Sequence, residues 1–241
     1  MNEEFSREEL LIGKEALERL NAASVALFGV GGVGSYAAEV LARAGVGSIT
    51  LIDNDTVSVS NINRQLCALH STVGRYKADV MAERLLDINP NLKISVRRDF
   101  VLPKNINDFD IPSFDFVIDA IDTVSAKIAI AKLCYESGTA LISCMGTGNK
   151  LSPTAFNVTD IFKTSGCPLA RVIRRELKKL GVPHLKVVYS AERAVKLENP
   201  VFSPSGKAVP ASISFVPPIA GIIAASEAIK TIIGMEASDN G

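Results

Sequence analysis

Cysteine pairs of the kind that hold a structural metal are missing from this sequence. No two of its four cysteines form a C-x-x-C pair, and structural zinc sites need ligands paired at short spacing. The first residues, Met1 to Glu9, are charged rather than apolar, which argues against a secretory signal. We therefore expect reduced thiols, no zinc and a cytoplasmic location. The cysteines are Cys67, Cys134, Cys144 and Cys167.

An excess of charge of either sign is also missing. The 241 residues include 26 basic and 26 acidic side chains, so the formal net charge is zero. A uniformly basic surface for nucleic acid is thereby excluded, but a local basic patch is not. A hydrophobic content of 47% supports a sizeable core and argues against disorder. Only two histidines are present, His70 and His184, and neither has a catalytic partner recognisable in the sequence.

The sequence also lacks an uninterrupted apolar segment of the kind that spans a membrane. The apolar run from Phe215 to Gly234 is long enough to be mistaken for one. It contains Pro217, Pro218, Glu227 and Lys230, and these interruptions favour a buried or partly interfacial helix. We therefore do not expect contact with a membrane.

Strand and helix patterns alternate along the first 150 residues. Short apolar runs predict strands, and apolar residues three or four positions apart predict helices. The alternation predicts an α/β fold, a Rossmann-like, mostly parallel sheet with helices on both faces. The predicted helices are 8–20, 35–43, 77–88 and 124–137, and the predicted strands are 24–28, 48–52, 93–98, 114–121 and 140–145.

After Pro153 the pattern changes, and we expect the second half to complete the same domain. It contains a basic helix at 167–180, a strand at 186–189, a loop or flap at 192–211 and an apolar helix at 219–233. The single predicted domain, 1–241, therefore has three parts. These are a helical arm (1–24), a nucleotide-binding half (25–150) and a substrate-side half with the flap and the C-terminal helix (151–241).

A glycine loop, Gly29-Val-Gly31-Gly32-Val-Gly34, lies between the first predicted strand and the next helix. Glycines allow a tight turn there and let backbone N–H groups approach a phosphate at the helix N-terminus. Asp53 ends the next strand, nineteen positions after Gly34, where a carboxylate accepts hydrogen bonds from ribose hydroxyls. We favour nucleotide binding over a purely structural turn followed by a solvated acidic residue.

Three hydrogen-bond donors, Asn61, Arg64 and Lys77, follow the strand that ends at Asp53. A dinucleotide with bridged phosphates needs little beyond the glycine loop. A triphosphate attacked at its α-phosphate, by contrast, must have its growing negative charge neutralised. The three donors suit that task, although a solvated turn followed by a lysine at a helix start is the alternative.

Two carboxylates, Asp119 and Asp122, lie at the end of the strand predicted at 114–121. Carboxylate oxygens are ligands that Mg²⁺ prefers, so one of them could hold Mg²⁺ on a pyrophosphate. For Asp119 we favour a structural role at the end of the sheet. Asp122 could also be the N-cap of the helix at 124–137.

Together these motifs resemble the ThiF/MoeB-type adenylating superfamily, which is related to ubiquitin-activating enzymes. The resemblance implies that the C-terminal half completes a ThiF-type fold and that a carboxylate attacks the α-phosphate of ATP to give an acyl-adenylate. The matching stretches are Gly29-x-Gly31-Gly32-x-Gly34, Asp53-x-Asp55-x-Val57-x-x-Ser60-Asn61-x-Asn63-Arg64-Gln65, Gly74-x-x-Lys77 and Ala120-x-Asp122.

The resemblance also implies roles for individual residues of an ATP and Mg²⁺ site. Gly32 lines the phosphate loop and Asp53 binds the ribose. Asp122 is the catalytic carboxylate associated with the metal, and Arg7 reaches the ATP of the neighbouring subunit, which implies a homodimer. The residues implied to hold the phosphates are Asn61, Arg64 and Lys77, of which Arg64 and Lys77 are also counted as catalytic.

Most of the chain further resembles the tRNA threonylcarbamoyladenosine dehydratase branch of this superfamily. This branch implies ATP-dependent cyclisation of N6-threonylcarbamoyladenosine beside the tRNA anticodon, through activation of the threonyl carboxylate. The stretches that carry the resemblance are Asn63-Arg64-Gln65 with Ala68-Leu69-His70, Val80-Met81-Ala82-Glu83-Arg84 with Ile88-Asn89-Pro90, Val117-Ile118-Asp119-Ala120-Ile121-Asp122, and Lys163-Thr164 with Pro168-Leu169-Ala170.

A tRNA substrate requires a positive surface despite the neutral total charge. Arg171, Arg174, Arg175 and Lys178 share one face at helical spacing and are the predicted tRNA-binding residues. A solvated helix face is the competing interpretation. Cys167 lies just before this helix, and we assign it no catalytic role because an intramolecular cyclisation needs no enzyme thioester.

Two other functions are left open by the sequence. One is activation of the C-terminus of a ubiquitin-like or sulfur-carrier protein, and a sulfur-transfer partner could also assist the tRNA reaction. The missing cysteine pairs count against this function. The other is an NAD-dependent oxidoreductase, against which the set Asn61, Arg64, Lys77 and Asp122 counts.

Overall fold

Seven strands form one sheet in the computed structural model, which describes residues 3–203, 206 and 208–235. Each strand is four or five residues long. They are β1 (Ser24–Phe28), β2 (Ser48–Ile52), β3 (Lys93–Arg97), β4 (Phe116–Asp119), β5 (Ala140–Cys144), β6 (Phe156–Asp160) and β7 (Lys186–Ser190).

The strand order is β3-β2-β1-β4-β5-β7-β6. Neighbouring strands are parallel except β6, which runs antiparallel to β7 at the edge of the sheet. The predicted mostly parallel α/β sheet is confirmed. The order reverses between β1 and β4, and ligands of such sheets bind outside the carboxyl ends of the strands at this switch point.

Seven α-helices accompany the strands within the described part of the chain. The predicted helix 8–20 is two helices, because Gly13 has a φ of 84° and interrupts it. Most other helix bounds lie within one residue of the prediction. The helices are α1 (Ser6–Ile12), α2 (Lys14–Ala22), α3 (Gly34–Arg43), α4 (Lys77–Ile88), α5 (Val124–Ser137), α6 (Pro168–Lys179) and α7 (Val216–Ile233).

Two apolar layers cover the two faces of the sheet. In β1, Val25 and Leu27 pack in one cluster with α3, α4 and α7, whereas Ala26 and Phe28 pack in another with α5. Alternate side chains of a strand point to opposite faces, so an unbroken apolar run is what a strand buried on both faces requires. The helices predicted on both faces from the alternation of strands and helices are confirmed.

Helix α7 is long and apolar enough to span a bilayer by length and composition, and half of its residues are buried inside the protein. It begins at Val216, three residues before the predicted start, with prolines in its first turn. Proline is tolerated there because the first N–H groups of a helix have no partner within the helix. Glycine at 221 lets α7 approach α3 closely, since a Cβ there would overlap the carbonyl oxygen of Val33.

The edge strand β6 was not predicted. Its five residues are paired with β7 from Phe156 opposite Ser190 to Asp160 opposite Lys186. Only Phe156 is buried among them, so the sequence lacks the apolar run that marked the other strands. β6 forms through its pairing with β7, which lies thirty residues later in the sequence.

The two predicted halves of the chain share one sheet, because β5 from the first half pairs directly with β7 from the second. The division into a nucleotide-binding half and a substrate-side half stays a prediction. In the predicted flap, 192–211, the described residues contain one isolated bridge, between Phe202 and Ala208. Residues 1–2, 204–205, 207 and 236–241 lie outside the described residues.

Candidate active site

A cleft of about 540 Å³ lies at the carboxyl ends of the central strands. The glycine loop after β1, the turn after β2 and the segments after β4 and β5 all line it. Residues far along the chain, including Pro210 and Pro217, form its remaining wall. The topology therefore brings most of the residues singled out in the sequence into one cavity.

The glycine loop is held tightly against the segment that follows β4. A Cβ atom on Gly29, whose φ is 89°, would lie 2.8 Å from the carbonyl oxygen of Ala120, and one on Gly34 would overlap the carbonyl oxygen of Gly29. Gly29, Gly31 and Gly32 line the cleft, whereas Gly34 does not and serves the packing of the turn. The loop precedes α3, so it places backbone N–H groups at a helix N-terminus.

Asp53 is bound to the backbone on both sides. Its Oδ2 accepts a hydrogen bond from the Val30 N–H at 2.6 Å, and its Oδ1 accepts one from the Asp55 N–H at 2.8 Å. Burial raises the pKa of the Asp53 carboxyl, while these two hydrogen bonds oppose the shift. The carboxylate thus links the turn after β2 to the glycine loop and faces the cleft.

Arg64 and Lys77 supply positive charge at the same end of the cleft. The Lys77 ammonium is 2.7 Å from Asp55 Oδ2. Arg64 donates to the Ser60 carbonyl at 2.9 Å, and its side chain lies over Gly32, where a Cβ would be 3.3 Å from Arg64 Cγ. Arg64 therefore lies beside the glycine loop that the sequence assigned to phosphate, and Lys77 lines the same cleft.

Asn61 does not share this position. It is half-buried and is not among the residues that line the cleft. Its Oδ1 accepts a hydrogen bond from the Ser58 N–H at 3.0 Å and caps the short 3-10 helix that ends at Asn61. The neighbouring residue that the structure does place in the cleft is Gln65.

Asp119 and Asp122 have opposite environments. Asp119 is fully buried and pairs with Lys127, whose ammonium is 2.9 Å from Asp119 Oδ2. Asp122 is exposed, lines the cleft and makes no hydrogen bond or ion pair with the described residues. The structure does not use Asp122 as an N-cap, because Thr123 occupies that position of α5. The structural role favoured for Asp119 is confirmed by its contacts, and Asp122 is a free carboxylate at the cleft.

This geometry can be compared with known proteins. The ThiF family model matches residues 5–240. The chain belongs to the ThiF family. It is 42% identical over 243 residues to the tRNA threonylcarbamoyladenosine dehydratase of Bacillus subtilis (strain 168), covering 97% of this chain and 96% of that one.

Solved structures agree with this membership. A structure of E. coli tRNA N6-threonylcarbamoyladenosine dehydratase in complex with ATP has a TM-score of 0.87 and 37% identity, over 98% of this ThiF-family chain and 96% of that chain. The same enzyme in complex with AMP also has a TM-score of 0.87, with 38% identity over 95% of this chain and 94% of that chain. The predicted resemblance is confirmed.

The far wall of the cleft was not predicted. In this ThiF-family chain it consists of the loop after β5 and of residues 209–212, which sequence patterns could not join because sixty positions separate them. Asn149 holds the two together: its N–H donates to the Ala211 carbonyl at 2.8 Å, and its Oδ1 accepts from the Ala211 N–H at 2.7 Å. Asn63 adds a bond to the Ser212 carbonyl at 3.0 Å.

Arg7 lies outside the cleft of its own subunit. It is exposed on α1 and has no ion pair with the described residues. Leu10 and Leu11 on the same helix are 88% and 85% exposed. This helix therefore presents a free cation beside unpacked apolar side chains.

The basic face predicted on α6 is only partly exposed. Arg171, Arg175 and Lys178 are exposed, but Arg174 is half-buried and donates to the Thr164 carbonyl at 2.8 Å and to Thr164 Oγ1 at 2.7 Å. Arg174 is therefore held by Thr164 rather than free in solvent, and its contact with tRNA stays a prediction. Helical spacing puts it next to the buried stripe, where it fixes the turn before α6.

The four cysteines are free and buried. Burial raises the pKa of Cys67 to about 11 and the pKa values of Cys134 and Cys144 to about 12. Such thiols stay protonated and are poor nucleophiles near neutral pH. Among the described residues no group of three His, Cys, Asp or Glu side chains could hold a metal ion.

Proposed function

We propose that this chain is an ATP-dependent tRNA threonylcarbamoyladenosine dehydratase, which cyclises N6-threonylcarbamoyladenosine by adenylating its threonyl carboxylate. A dehydratase relative matches nearly the whole chain at 42% identity. A similar enzyme has been solved in complex with ATP and in complex with AMP. A cytoplasmic location fits a tRNA substrate and four free thiols.

One observation in the structure carries the proposal. The cleft joins a nucleotide side, formed by the glycine loop and Asp53, to a second wall formed by residues 146–148 and 209–212. The free carboxylate of Asp122 and the cations Arg64 and Lys77 line the same cleft. A nucleotide alone needs only the first side, so the second wall is available for the acyl substrate.

The nucleotide side has groups for the phosphates and the ribose of ATP. Gly31 and Gly32 line the cleft before α3, and their N–H groups suit phosphate oxygens. Asp53 accepts hydrogen bonds from the ribose hydroxyls. Arg64 and Lys77 neutralise the charge that grows on the phosphates during attack. The role predicted for Asn61 at the phosphates now rests on the family resemblance alone, because Asn61 does not line the cleft.

Mg²⁺ is proposed as the companion of ATP. Mg²⁺ is usually held by one or two carboxylates together with substrate phosphates, rather than by an all-protein cage. The exposed, unpaired Asp122 fits this pattern, as does the absence of a three-residue ligand cluster among the described residues. Bound there, Mg²⁺ would neutralise the leaving pyrophosphate.

The reaction that these residues support has two steps. A threonyl carboxylate oxygen attacks the α-phosphorus of ATP, and the bond to the β-phosphate oxygen breaks to release pyrophosphate. The ureido group of the same nucleoside then attacks the acyl carbon, and the bond to AMP breaks. The carboxylate oxygen leaves with AMP and the attacking ureido group releases its proton to solvent, so the threonyl acid and the ureido group together lose the elements of water. Adenylation is needed because a free carboxylate is a poor acyl donor.

The basic patch of α6 is the proposed contact for tRNA. Arg171 and Lys178 are exposed and have no acidic partner in the described structure, whereas Arg175 pairs with Glu176 at 2.8 Å. When an unpaired cation of a protein contacts a phosphate of RNA, it displaces counterions bound to the RNA. Their release supplies much of the affinity for RNA. We therefore assign the larger share of tRNA binding to Arg171 and Lys178.

We also propose that the enzyme is a homodimer in which Arg7 acts on the partner's ATP. The support is the free Arg7 beside the exposed Leu10 and Leu11 on α1. Mixing inactive Arg7→Ala and Lys77→Met subunits tests it. Random exchange should restore about a quarter of the wild-type activity, since half of the dimers are mixed and each contains one complete site. No recovery after confirmed exchange would show that Arg7 acts within its own subunit or not at all.

The function itself is tested by incubating the purified chain with ATP, Mg²⁺ and tRNA that carries threonylcarbamoyladenosine. We expect conversion of that nucleoside to a product lighter by one water, with AMP and pyrophosphate formed in equal amounts. Unmodified tRNA of the same sequence is the control. Pyrophosphate exchange that depends on a carrier protein instead, with no change in the tRNA, would identify an activator of ubiquitin-like or sulfur-carrier proteins.

A further inference from the structure

A charged cluster is buried behind the cleft and contacts it only through residues of the cleft wall, such as Cys144. The Lys127 ammonium donates to Asp119 Oδ2 at 2.9 Å and to the Cys144 carbonyl at 2.8 Å, and it lies 3.3 Å from Ser143 Oγ. Ser143 Oγ in turn donates to Asp119 Oδ2 at 2.6 Å. The side chains of Lys127 and Asp119 are each 1% exposed. None of these three side chains belongs to the cleft wall.

The cluster ties together the two strand ends that carry the cleft. Asp119 ends β4 and Cys144 ends β5, and the segments that follow them, 120–123 and 145–148, both line the cleft. A single ammonium group bonded to both ends fixes their separation. The Ala120 N–H also donates to the Phe28 carbonyl at 2.8 Å, so the glycine loop is part of the same arrangement.

The segment that carries Asp122 is closed into a ring by the same residues. Asp119 Oδ1 accepts a hydrogen bond from the Ile121 N–H at 3.3 Å, immediately before Asp122. On the other side, the Lys127 N–H donates to the Thr123 carbonyl at 3.0 Å while its side chain returns to Asp119. Asp122 stands at the outer point of this ring and has no bond of its own among the described residues. Its position is therefore set by the ring.

A requirement for stability alone does not account for an ion pair at this depth. The bonds to Ser143 and to the Cys144 carbonyl offset the cost of removing two charges from water, but apolar replacements of similar volume are often as stable as such a pair. Groups that hold a ligating side chain in place are retained for another reason, because they fix the geometry of the site.

We propose that the buried Lys127–Asp119–Ser143 cluster positions Asp122 for the metal-bound phosphates of ATP, with Lys127 as the positioning residue. The inference rests on the nucleotide part of the proposed function and not on the identity of the acyl substrate. Lys127 should therefore affect the gain in ATP affinity that Mg²⁺ produces. It should not affect the affinity for ATP without Mg²⁺, which the glycine loop and Asp53 provide.

The test measures ATP affinity by calorimetry with and without Mg²⁺. The variant with Lys127→Met, Asp119→Leu and Ser143→Ala removes the cluster and leaves an apolar core, so it should fold. We expect this variant and Asp122→Asn each to lose about 10- to 100-fold of the Mg²⁺-dependent gain in affinity, and to keep the metal-free affinity within about threefold. A full Mg²⁺-dependent gain in either variant overturns the inference.

A second pair of variants separates positioning from loss of stability. Should the triple variant fail to fold, Lys127→Gln with Asp119→Asn removes both charges and retains polar side chains. Leu177→Ala in α6, far from the cleft, is the control with a matched loss of melting temperature, and it should keep the full Mg²⁺-dependent gain. Equal losses in the control and the cluster variant would reduce the cluster to a structural role. The measurement contains no tRNA, so its outcome does not depend on whether the chain acts on tRNA.

Discussion

The ammonium of Lys77 lies 2.7 Å from Asp55 Oδ2, and the two side chains differ sharply in exposure, 7% for Lys77 and 62% for Asp55. Lys77 is the first residue of α4, and its N–H donates to the Asp55 carbonyl at 3.0 Å. The ammonium is thus buried, and Asp55 holds Lys77 through both its carboxylate and its backbone carbonyl before any nucleotide binds. A phosphate that enters the cleft meets a charge that needs little further ordering.

We expect Lys77→Met to lower kcat/KM about 100- to 1000-fold, because one donor to the charge of the transition state is removed. Binding of adenosine, which has no phosphates, should stay unchanged. Lys132→Met, which breaks an exposed pair with Glu136 on α5, is the matched control and should be neutral. Steady-state kinetics and adenosine titration check this. A wild-type kcat/KM in Lys77→Met would remove Lys77 from the site.

Adenosine binding should weaken with acidification at a higher pH than an ordinary aspartate would cause. Burial raises the pKa of the Asp53 carboxyl, so this group takes up a proton above the usual value of about 3.9 and then accepts ribose hydroxyl hydrogen bonds less well. Affinity is therefore greatest above the raised pKa and falls as the pH drops through it. Titration of the adenosine affinity from neutral pH downward measures the effect.

Adenosine is the proper ligand for this experiment because the phosphates of ATP titrate in the same range. Asp53→Asn should bind adenosine more weakly at neutral pH and show no pH dependence there. The same pH dependence in Asp53→Asn and the wild type would mean that another group is responsible.

Asn149 should matter for the acyl substrate more than for ATP. It has a φ of 56°, and its side chain holds residue 211 at the far wall of the cleft. Loss of this hydrogen bond, worth about 0.5–1.5 kcal/mol, should raise KM for modified tRNA about two- to tenfold with little change in KM for ATP.

Two variants divide the contributions of Asn149. Asn149→Gly keeps the left-handed backbone and loses only the side-chain bond, whereas Asn149→Ala adds backbone strain and should be the more impaired. Asn157→Ala removes an exposed amide that bonds only locally, to the Ala155 carbonyl, and is the control. Equal increases of both KM values would argue against a role confined to the far wall.

Charge reversal at Arg171 and Lys178 should weaken tRNA binding and reduce the salt dependence of log K by about two. The matched control reverses Lys93 and Lys104, two exposed lysines elsewhere on the surface, and changes the net charge equally. Filter binding at several salt concentrations is the measurement. An unchanged salt slope in the Arg171 and Lys178 variant would exclude this face of α6.

Arg174 should behave differently from its neighbours on α6. Because it donates to Thr164, Arg174→Ala should lower the melting temperature and leave the salt slope of tRNA binding unchanged. A reduced slope without a loss of stability would restore the predicted contact with tRNA.

Cys167→Ala should retain cyclisation activity. Cys167 is 7% exposed and precedes α6, and the proposed ring closure within the nucleoside needs no enzyme thioester. The substitution should cost about 1 kcal/mol of unfolding free energy through lost packing. Loss of activity in a folded Cys167→Ala protein would point to a covalent step.

Elements whose signals are local were predicted well. β1, β2, α4 and α5 have the predicted bounds, because each is an apolar or periodic run that ends at a polar residue. Failures came where the signal is not local. β6 exists through its pairing with β7, and the arginine at 174 turned inward because a threonine ten positions earlier accepts its hydrogen bonds.

By itself the sequence determined the sheet, the glycine loop with Asp53, and the arrival of Asp122 at the same edge, since these residues follow the ends of predicted parallel strands. Tertiary structure alone decided that Asn61 stays outside the cleft, that Lys127 is buried against Asp119, and that the distant segments 146–148 and 209–212 meet as a wall. These outcomes depend on which polar groups find partners once the chain is packed. Such partners lie far apart in the sequence, and no local pattern specifies them.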